Sequence, residues 1–192
     1  AGEFRSSRCI IACGGASYPA TGSSGDGYAL AKAFGHSVVE PCPALTAVSI
    51  SGYTFADCAG ISITDARLEI WRDGKLLGRH RGDVLFTHEG LSGPGILDTS
   101  RSLEPGDAIG LSLAPFASQQ EAEAALLAWT RKYPQRSLVS CLRILGLPER
   151  LARRILAIHG SSPETTGASL AKSLRKSLAE SLAAHRFVIR AL

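Results

Sequence analysis

The chain contains no methionine among its 192 residues. As written it holds no start residue. Ala1 leads within a few positions into Cys9-Ile10-Ile11-Ala12, an apolar run rich in β-branched residues that reads as a buried strand. A buried strand so near the first residue points to a piece cut from a longer protein, with a processed N-terminus as the plainer alternative. No apolar run approaches the roughly 20 residues of a membrane span, and no basic segment precedes an apolar stretch as in a signal peptide. Cysteine is scarce and odd in number: the five lie at 9, 13, 42, 58 and 141, with no C-x-x-C pair and no histidine at zinc-ligand spacing. A metal site is not expected. Reduced thiols of a cytoplasmic protein fit this pattern better than a disulfide framework. The G-x-S-x-G elbow of a serine hydrolase is missing too, and no pair of carboxylates has a distinctive spacing.

What is present is globular: 45% hydrophobic and 20% charged residues support a core and argue against disorder. Charge is divided unevenly. Residues 131–192 hold 12 Lys or Arg against 3 Asp or Glu, whereas the rest of the chain is net acidic. The basic residues include Arg150, Arg153, Arg154, Lys172, Arg175 and Lys176. Nucleic-acid binding calls for a continuous basic face with aromatics, and the only aromatics there are Tyr133 and Phe187, which weighs against it. A solvated face, or a surface meeting the acidic first part, is the favoured reading. A site attracting a phosphorylated cofactor such as NADPH is a further one.

Four segments follow along the chain. Residues 1–43 comprise the first strand, a glycine-rich loop and a helix from about Asp26, closed by Gly35, with a brief extended piece at Ser37 to Glu40. Residues 44–116 are β-rich. Ala66 to Arg72 alternates in period two, Asp73-Gly74 is a hairpin turn, and Lys75 to His80, Asp83 to His88 and Asp107 to Leu113 follow as strands. A helix over about 93–101 interrupts them, with Ser92 as its N-cap and Pro94 in its first turn. Residues 117–185 are helical, with helices predicted over Gln119 to Lys132, Leu138 to Leu145, Pro148 to His159 and Gly167 to Ala184. Residues 186–192 look like a final strand. The fold class is α+β: a small antiparallel barrel or sandwich plus a helical module. Strands at both ends are what an excised insertion would show, with the ends belonging to a host sheet.

The stretch "GGASYPATGSSGDGY", residues 14–28, is the loop that calls for explanation. Glycine lets main chain approach a ligand closely, and successive free N–H groups can cradle an anion ahead of a helix N-terminus. Here the carboxylate of Asp26 occupies that place, so Asp26 reads as an N-cap rather than a phosphate partner. The spacing Gly22-Ser23-Ser24-Gly25-Asp26-Gly27 reverses that of a dinucleotide fingerprint, and no P-loop lysine follows. From the residues alone, ligand contact and a structural turn stand level.

Two ordered motifs about 90 residues in extent carry a resemblance. The first is Ala12-Cys13-Gly14-Gly15, Ser17-Tyr18-Pro19, Thr21-Gly22-Ser23 and Gly25-Asp26-Gly27-Tyr28, with Gly35-His36 and Pro43-Ala44-Leu45 after it. The second is Leu85-Phe86-Thr87-His88, Gly90-Leu91-Ser92-Gly93-Pro94 and Ile96-Leu97. Together they resemble the BaiN/YhiN-like family of bacterial NAD(P)/FAD-dependent oxidoreductases. The resemblance implies a flavoprotein whose Rossmann-type FAD domain carries a large insertion, with the pyrophosphate-binding fingerprint outside this chain. Cys13, Gly14, Gly15, Tyr18, Pro19, Thr21, Gly22, Gly25, Asp26 and Gly27 would then lie near FAD, where the host domain passes into the insertion. Cys13 stands where the family usually has threonine, and a thiol is the poorer donor. NAD(P)H is left open as the reductant.

Thr87, His88, Ser92 and Gly93 are candidates to orient a substrate at a strand end and helix start. Strand termination and an N-cap are the plainer reading. His36, after the glycine that closes the first helix, complements the helix dipole. The expected role is an insertion that covers the flavin and shapes a small-molecule pocket, partnered by the remainder of its own FAD domain and inactive alone. The alternative, of another class, is a non-enzymatic module docking a polyanion or a partner protein through its basic helices.

Overall fold

The computed structural model describes residues 2–192. They divide into two compact units, residues 2–43 and residues 44–192.

In the first unit, a 3-10 turn at Pro19–Thr21 precedes helix α1, Asp26–Ala33. Gly35, at φ +85°, follows the helix and carries the chain out in the left-handed region, as predicted. Asp26 is the first helical residue rather than the cap; Gly25, at φ +86°, holds the cap position, so the helix opens on an unassisted glycine with the Asp26 carboxylate in its first turn. The strand expected at Cys9 to Ala12 and the extended piece at Ser37 to Glu40 are not formed as strands. A strand needs a partner ladder for its N–H and C=O groups, and among the described residues none pairs with either segment. No described residue of this unit is buried.

The second unit is a closed antiparallel barrel with helices against it. Its strands are β1 (Val48–Ile50), β2 (Ser62–Arg72), β3 (Lys75–Phe86), β4 (Gly90–Ser92), β5 (Ala108–Leu111) and β6 (His185–Ala191). Around the barrel they run β1-β4-β3-β2-β5-β6, and β6 returns to β1. The Asp73-Gly74 turn joins β2 to β3 with Arg72 opposite Lys75, both turn residues at positive φ as a two-residue hairpin of matching twist requires. Lys75 to His80 and Asp83 to His88, read as two strands, are one. The 11-residue β2 offers a continuous partner, and the break suggested by Arg81-Gly82 is a packing site instead. A Cβ on Gly82 would lie 2.7 Å from the Cα of Gly95.

That contact belongs to helix α2, Pro94–Thr99, which is shorter than the 93–101 expected and continues as a 3-10 turn at Ser100–Ser102. Its cap is Gly93, at φ +91°, while Ser92 ends β4. Ile96 is fully buried. The barrel interior is filled by Leu68, Ile70, Val84, Phe86, Leu91, Ile109, Leu111, Phe187 and Ile189. Each such side chain contributes about 1.5–3 kcal/mol by leaving water.

The strand expected over residues 186–192 forms as β6, which pairs with β5 (Ala108 opposite Val188) and with β1 (Ile50 opposite Ile189). Phe187 and Ile189 face the barrel core, so their burial is satisfied inside this unit.

Helices α3 (Gln119–Lys132), α4 (Leu138–Ile144) and α5 (Glu149–Ile158) follow the predicted spans closely, whereas α6 (Lys172–Ala184) starts five residues after the expected Gly167, which lies in a separate 3-10 turn at Gly167–Ser169. Ser118 caps α3 by accepting from the Glu121 N–H, while the Glu121 carboxylate accepts from Ala117 N–H, a reciprocal pair of the capping-box kind. Leu126, Leu142, Leu151, Ile155, Leu178 and Leu182 belong to the same continuous apolar cluster as the barrel interior. The boundaries drawn at 116 and 185 therefore run through one core. Among the described residues, no helix is long and apolar enough to cross a membrane.

Candidate functional site

The glycine loop of the first unit is closed on itself. Gly25 N–H donates to Gly15 O at 3.1 Å, so ten residues return to their starting point. Inside the loop, Thr21 N–H and its hydroxyl both donate to Tyr18 O, and Gly22 N–H donates to Pro19 O at 3.0 Å. Gly14, Gly22 and Gly25 have φ between +77° and +91°, which explains glycine at these three positions. Gly27 is different: a Cβ there would make only ordinary contacts with Ile11 and Cys13, at 3.5 and 3.6 Å. The loop thus brings together Cys13, Gly14, Gly15, Gly25, Asp26 and Gly27, while Tyr18, Pro19, Thr21 and Gly22 form its exposed tip.

A Cβ at Gly22 would meet nothing within 4 Å. Bare, exposed main chain of this kind leaves room for close approach by another group. It does not fit a pyrophosphate at the α1 N-terminus, where the Asp26 carboxylate stands in the first turn.

The second motif builds a tight turn and a packed helix start. Thr87 N–H donates to Gly90 O at 2.9 Å and the Thr87 hydroxyl accepts from Gly90 N–H at 3.1 Å. Tyr53 braces this turn, its hydroxyl donating toward Thr87 O and Gly90 O at 3.1 and 3.0 Å. Burial, with the negative Asp57 nearby, raises the Tyr53 phenol well above its ordinary range, so it stays a donor. The glycines are steric necessities. A Cβ on Gly90 would run into the Val48 carbonyl, and one on Gly93 would lie 2.7 Å from Asp83 O. His88 is exposed at the turn, Thr87 is committed to closing it, and Ser92 lies in β4.

The basic helices are partly neutralised. Arg154 pairs with Asp57 and Arg150 donates to Ala59 O at 2.7 Å, tying α5 to the 3-10 turn at Ala56–Cys58. Arg153 pairs with Glu149, and Arg175 with Glu123. Arg154 holds the Asp57 carboxyl below the usual range. Lys172 and Lys176 are exposed.

Sequence reasoning missed a partly buried polar chain. Ser181 Oγ lies 2.9 Å from His159 Nε2 and 3.1 Å from His185 Nδ1, linking the end of α5, α6 and the start of β6. The His185 ring packs edge-on against Phe55 and close to Phe187. Burial, with the neighbouring His159, pushes the His185 pKa down to about 4, and burial lowers His159 as well. Both rings are neutral at physiological pH. Three residues 22 and 4 positions apart on two helices and a strand leave no periodic trace in the sequence. Cys58 and Cys141 are pushed up by burial to about 11 and about 12, which leaves both as protonated thiols.

The profile of a protein family described as "HI0933-like protein barrel and H2TH domain" matches residues 42–191. Over 161 residues the chain is 29% identical to a 3-dehydro-bile acid delta(4,6)-reductase of Clostridium scindens, covering 81% of this chain and 39% of that protein. It is 29% identical over 162 residues to a ribosomal RNA dihydrouridine synthase of Escherichia coli, covering 83% and 38%. A ribosomal RNA dihydrouridine synthase of Haemophilus influenzae is 27% identical over 119 residues, covering 62% and 29%. The chain thus spans about two fifths or less of the curated relatives it matches. With the barrel, the helices and the two motifs in place, the chain belongs to the family of HI0933-like barrel and H2TH domain proteins, the BaiN/YhiN-like group.

Proposed function

We propose that this chain is the substrate-facing insertion, with flanking host residues, of an FAD-dependent reductase. One observation carries the reading: residues 44–192 bury a complete core, whereas residues 2–43 bury nothing and expose Phe4, Ile10, Phe34 and Val39. Side chains of this kind are covered in most folded proteins. Cys9-Ile10-Ile11-Ala12 has strand composition without a ladder, which suits a strand completed by an FAD-domain sheet. The family match begins at residue 42, where this coreless segment ends.

When bound, FAD supplies the two-electron chemistry, with NAD(P)H as the reductant. The chain's part is to bring Cβ-free main chain at Gly14, Gly15 and Gly22 against the ring system, and to present the Thr87–Gly93 turn toward the substrate. The names of the relatives describe two reductive reactions, one on a bile acid and one yielding dihydrouridine in ribosomal RNA. A reduction of an unsaturated ring is the shared chemistry proposed here, in a cytoplasmic setting that suits five free thiols. A small-molecule substrate is the first reading. An RNA substrate is the second, favoured by the exposed Arg131, Lys132 and Arg136 beside Tyr133. The non-enzymatic module is the less favoured alternative.

The test is to extend the chain at both ends with its neighbouring coding sequence and purify the product. Yellow protein with flavin absorbance, bleached by NADH or NADPH, is expected. A colourless protein that takes up no added FAD would refute the reading. Salt-dependent binding of a ribosomal RNA fragment separates the second substrate from the first.

A further inference from the structure

We infer that the barrel wall holds a separate binding site for an apolar ligand ending in one carboxylate. The site begins with a fault in the β2–β3 ladder. Ile63 pairs with Val84 and Ala66 with Gly82, so Thr64 and Asp65 together face the single residue Asp83. Such a bulge bends its strand and redirects side chains. Asp65 sits at φ +47°, and its N–H, deprived of a ladder partner, is held by Asp83 Oδ1 at 2.9 Å. A left-handed non-glycine residue outside a tight turn is a local cost retained where the surroundings require it.

On the other side of β2, pairing with β5 ends at Leu68 opposite Leu111, and the chain then departs through Ser112 to Ala117. Between the bulge and this departing segment lies a cavity of about 560 Å³, within the range of small-molecule sites. Ile63, Leu113, Pro115, Phe116 and Pro148 supply apolar lining.

Two guanidinium groups line the same cavity. Arg81 is exposed and bound to Asp65 at 3.0 Å, a surface pair of little intrinsic worth. Arg67 is half-buried, and no carboxylate among the described residues lies within ion-pair distance of it. Its Nη1 and Nη2 donate to Phe116 O and Ala183 O at 3.1 and 2.9 Å. Two of the five N–H groups of a guanidinium are thereby used. A cation withdrawn from water and answered only by neutral carbonyls favours an anion. A guanidinium's planar fork suits a carboxylate. Arg81 is answered by Asp65, with Asp83 beside it, which leaves Arg67 as the cavity guanidinium without a carboxylate partner, so a single anionic group is its complement. The inference does not depend on flavin binding or on the reductase reading.

The probe is decanoate, titrated into the ¹⁵N-labelled 192-residue chain and followed by amide shifts. Decanol and decylammonium serve as controls of equal chain length. Saturable shifts at residues 62–67 and 112–117 are expected, with decanoate binding about tenfold more tightly than either control, the effect of one charge-assisted contact. Arg81→Gln, at an exposed position, leaves Asp65 unanswered beside the cavity and should remove most of that preference. Ala117→Trp, also exposed and on the cavity rim, should abolish the shifts while thermal melting stays unchanged. The inference is overturned if decanoate and decanol bind alike, if R81Q leaves the preference intact, or if the shifts fall only on Ile10, Phe34 and Val39.

Discussion

Acid should destabilise the barrel-helix unit over a window set by His185. The His185 pKa is about 4 in the folded protein and 6.5 without the fold's influence. The folded state therefore binds this proton less readily than the unfolded one, and stability rises with pH across the interval. The contribution is complete above the unfolded value, declines as pH falls, and is gone below the folded value. The 2.5-unit difference is worth about 3 kcal/mol in full, at 1.36 kcal/mol per unit, and about 2 kcal/mol of it should be lost by about pH 5. His159 shifts in the same direction and adds to the slope. The carboxylates held low by arginine, Asp57 and Asp107, lose stability only at more acid pH, which leaves the interval from about 7 to 5 to the histidines. Urea unfolding at fixed pH reads this directly, as a falling midpoint at constant m-value. His185→Phe removes the titration while suiting the Phe55–Phe187 cluster, and Ser181 keeps His159 as its partner. The variant should show a markedly flatter stability profile between pH 7 and 5. An unchanged slope in H185F, or a flat profile in the parent, would refute the assignment.

Three further outcomes follow from named contacts. Gly90→Ala should cost at least about 3 kcal/mol in urea unfolding, because its Cβ meets the Val48 carbonyl inside a sheet that cannot shift locally. Arg72→Met should lower the melting temperature far more than Arg79→Met. The first strands the buried Asp107, which Arg72 grips with two nitrogens at 2.8 Å, while the second breaks an exposed pair with Glu69. Equal losses would contradict this. Mass spectrometry after brief thiol alkylation of the native protein should find labels on Cys9, Cys13 and Cys42 and none on Cys58 or Cys141, which burial keeps covered and protonated. Labelling of all five in native conditions would contradict it.

The helices were the most legible part of the fold, and the reason is local. Gln119 to Lys132 states its own start through Ser118 and Glu121, its face through Ala122, Leu126 and Trp129, and its end through Pro134. Strand composition was legible too, but strand partnership was not. Arg186 to Arg190 reads as a strand in any context, and only the positions of β1 and β5 decide that it closes this barrel. The same gap explains Cys9 to Ala12, whose composition predicts a strand that finds no ladder among the described residues. The histidine pair around Ser181 was invisible for a related reason, since its members meet only after α5, α6 and β6 have packed.

The Gly90–Gly95 stretch shows that glycines which suggest a ligand in the sequence can also answer to packing. Ser92, Pro94 and the glycines suggested a ligand facing a helix N-terminus. In the structure each glycine answers a main-chain collision: Gly90 with Val48, Gly93 with Asp83, Gly95 with Gly82. The Gly90 collision arises across the β1–β4 pair, where Gly90 faces Ser49, and those at Gly93 and Gly95 arise because the start of α2 lies directly on β3, with Ile96 buried. A sequence shows that a Cβ is absent, and both a ligand and a neighbouring strand can require that absence. The discriminating observation is what a restored Cβ would strike. At Gly90, Gly93 and Gly95 it strikes the protein's own backbone, whereas at Gly22 it strikes nothing and the positive φ alone accounts for the glycine. Gly22→Ala, strained by its positive φ but free of collision, should therefore cost stability by about 1 kcal/mol. In the extended flavin-binding protein it should weaken FAD retention more than it weakens folding, and an equal effect on both would assign Gly22 to the fold alone.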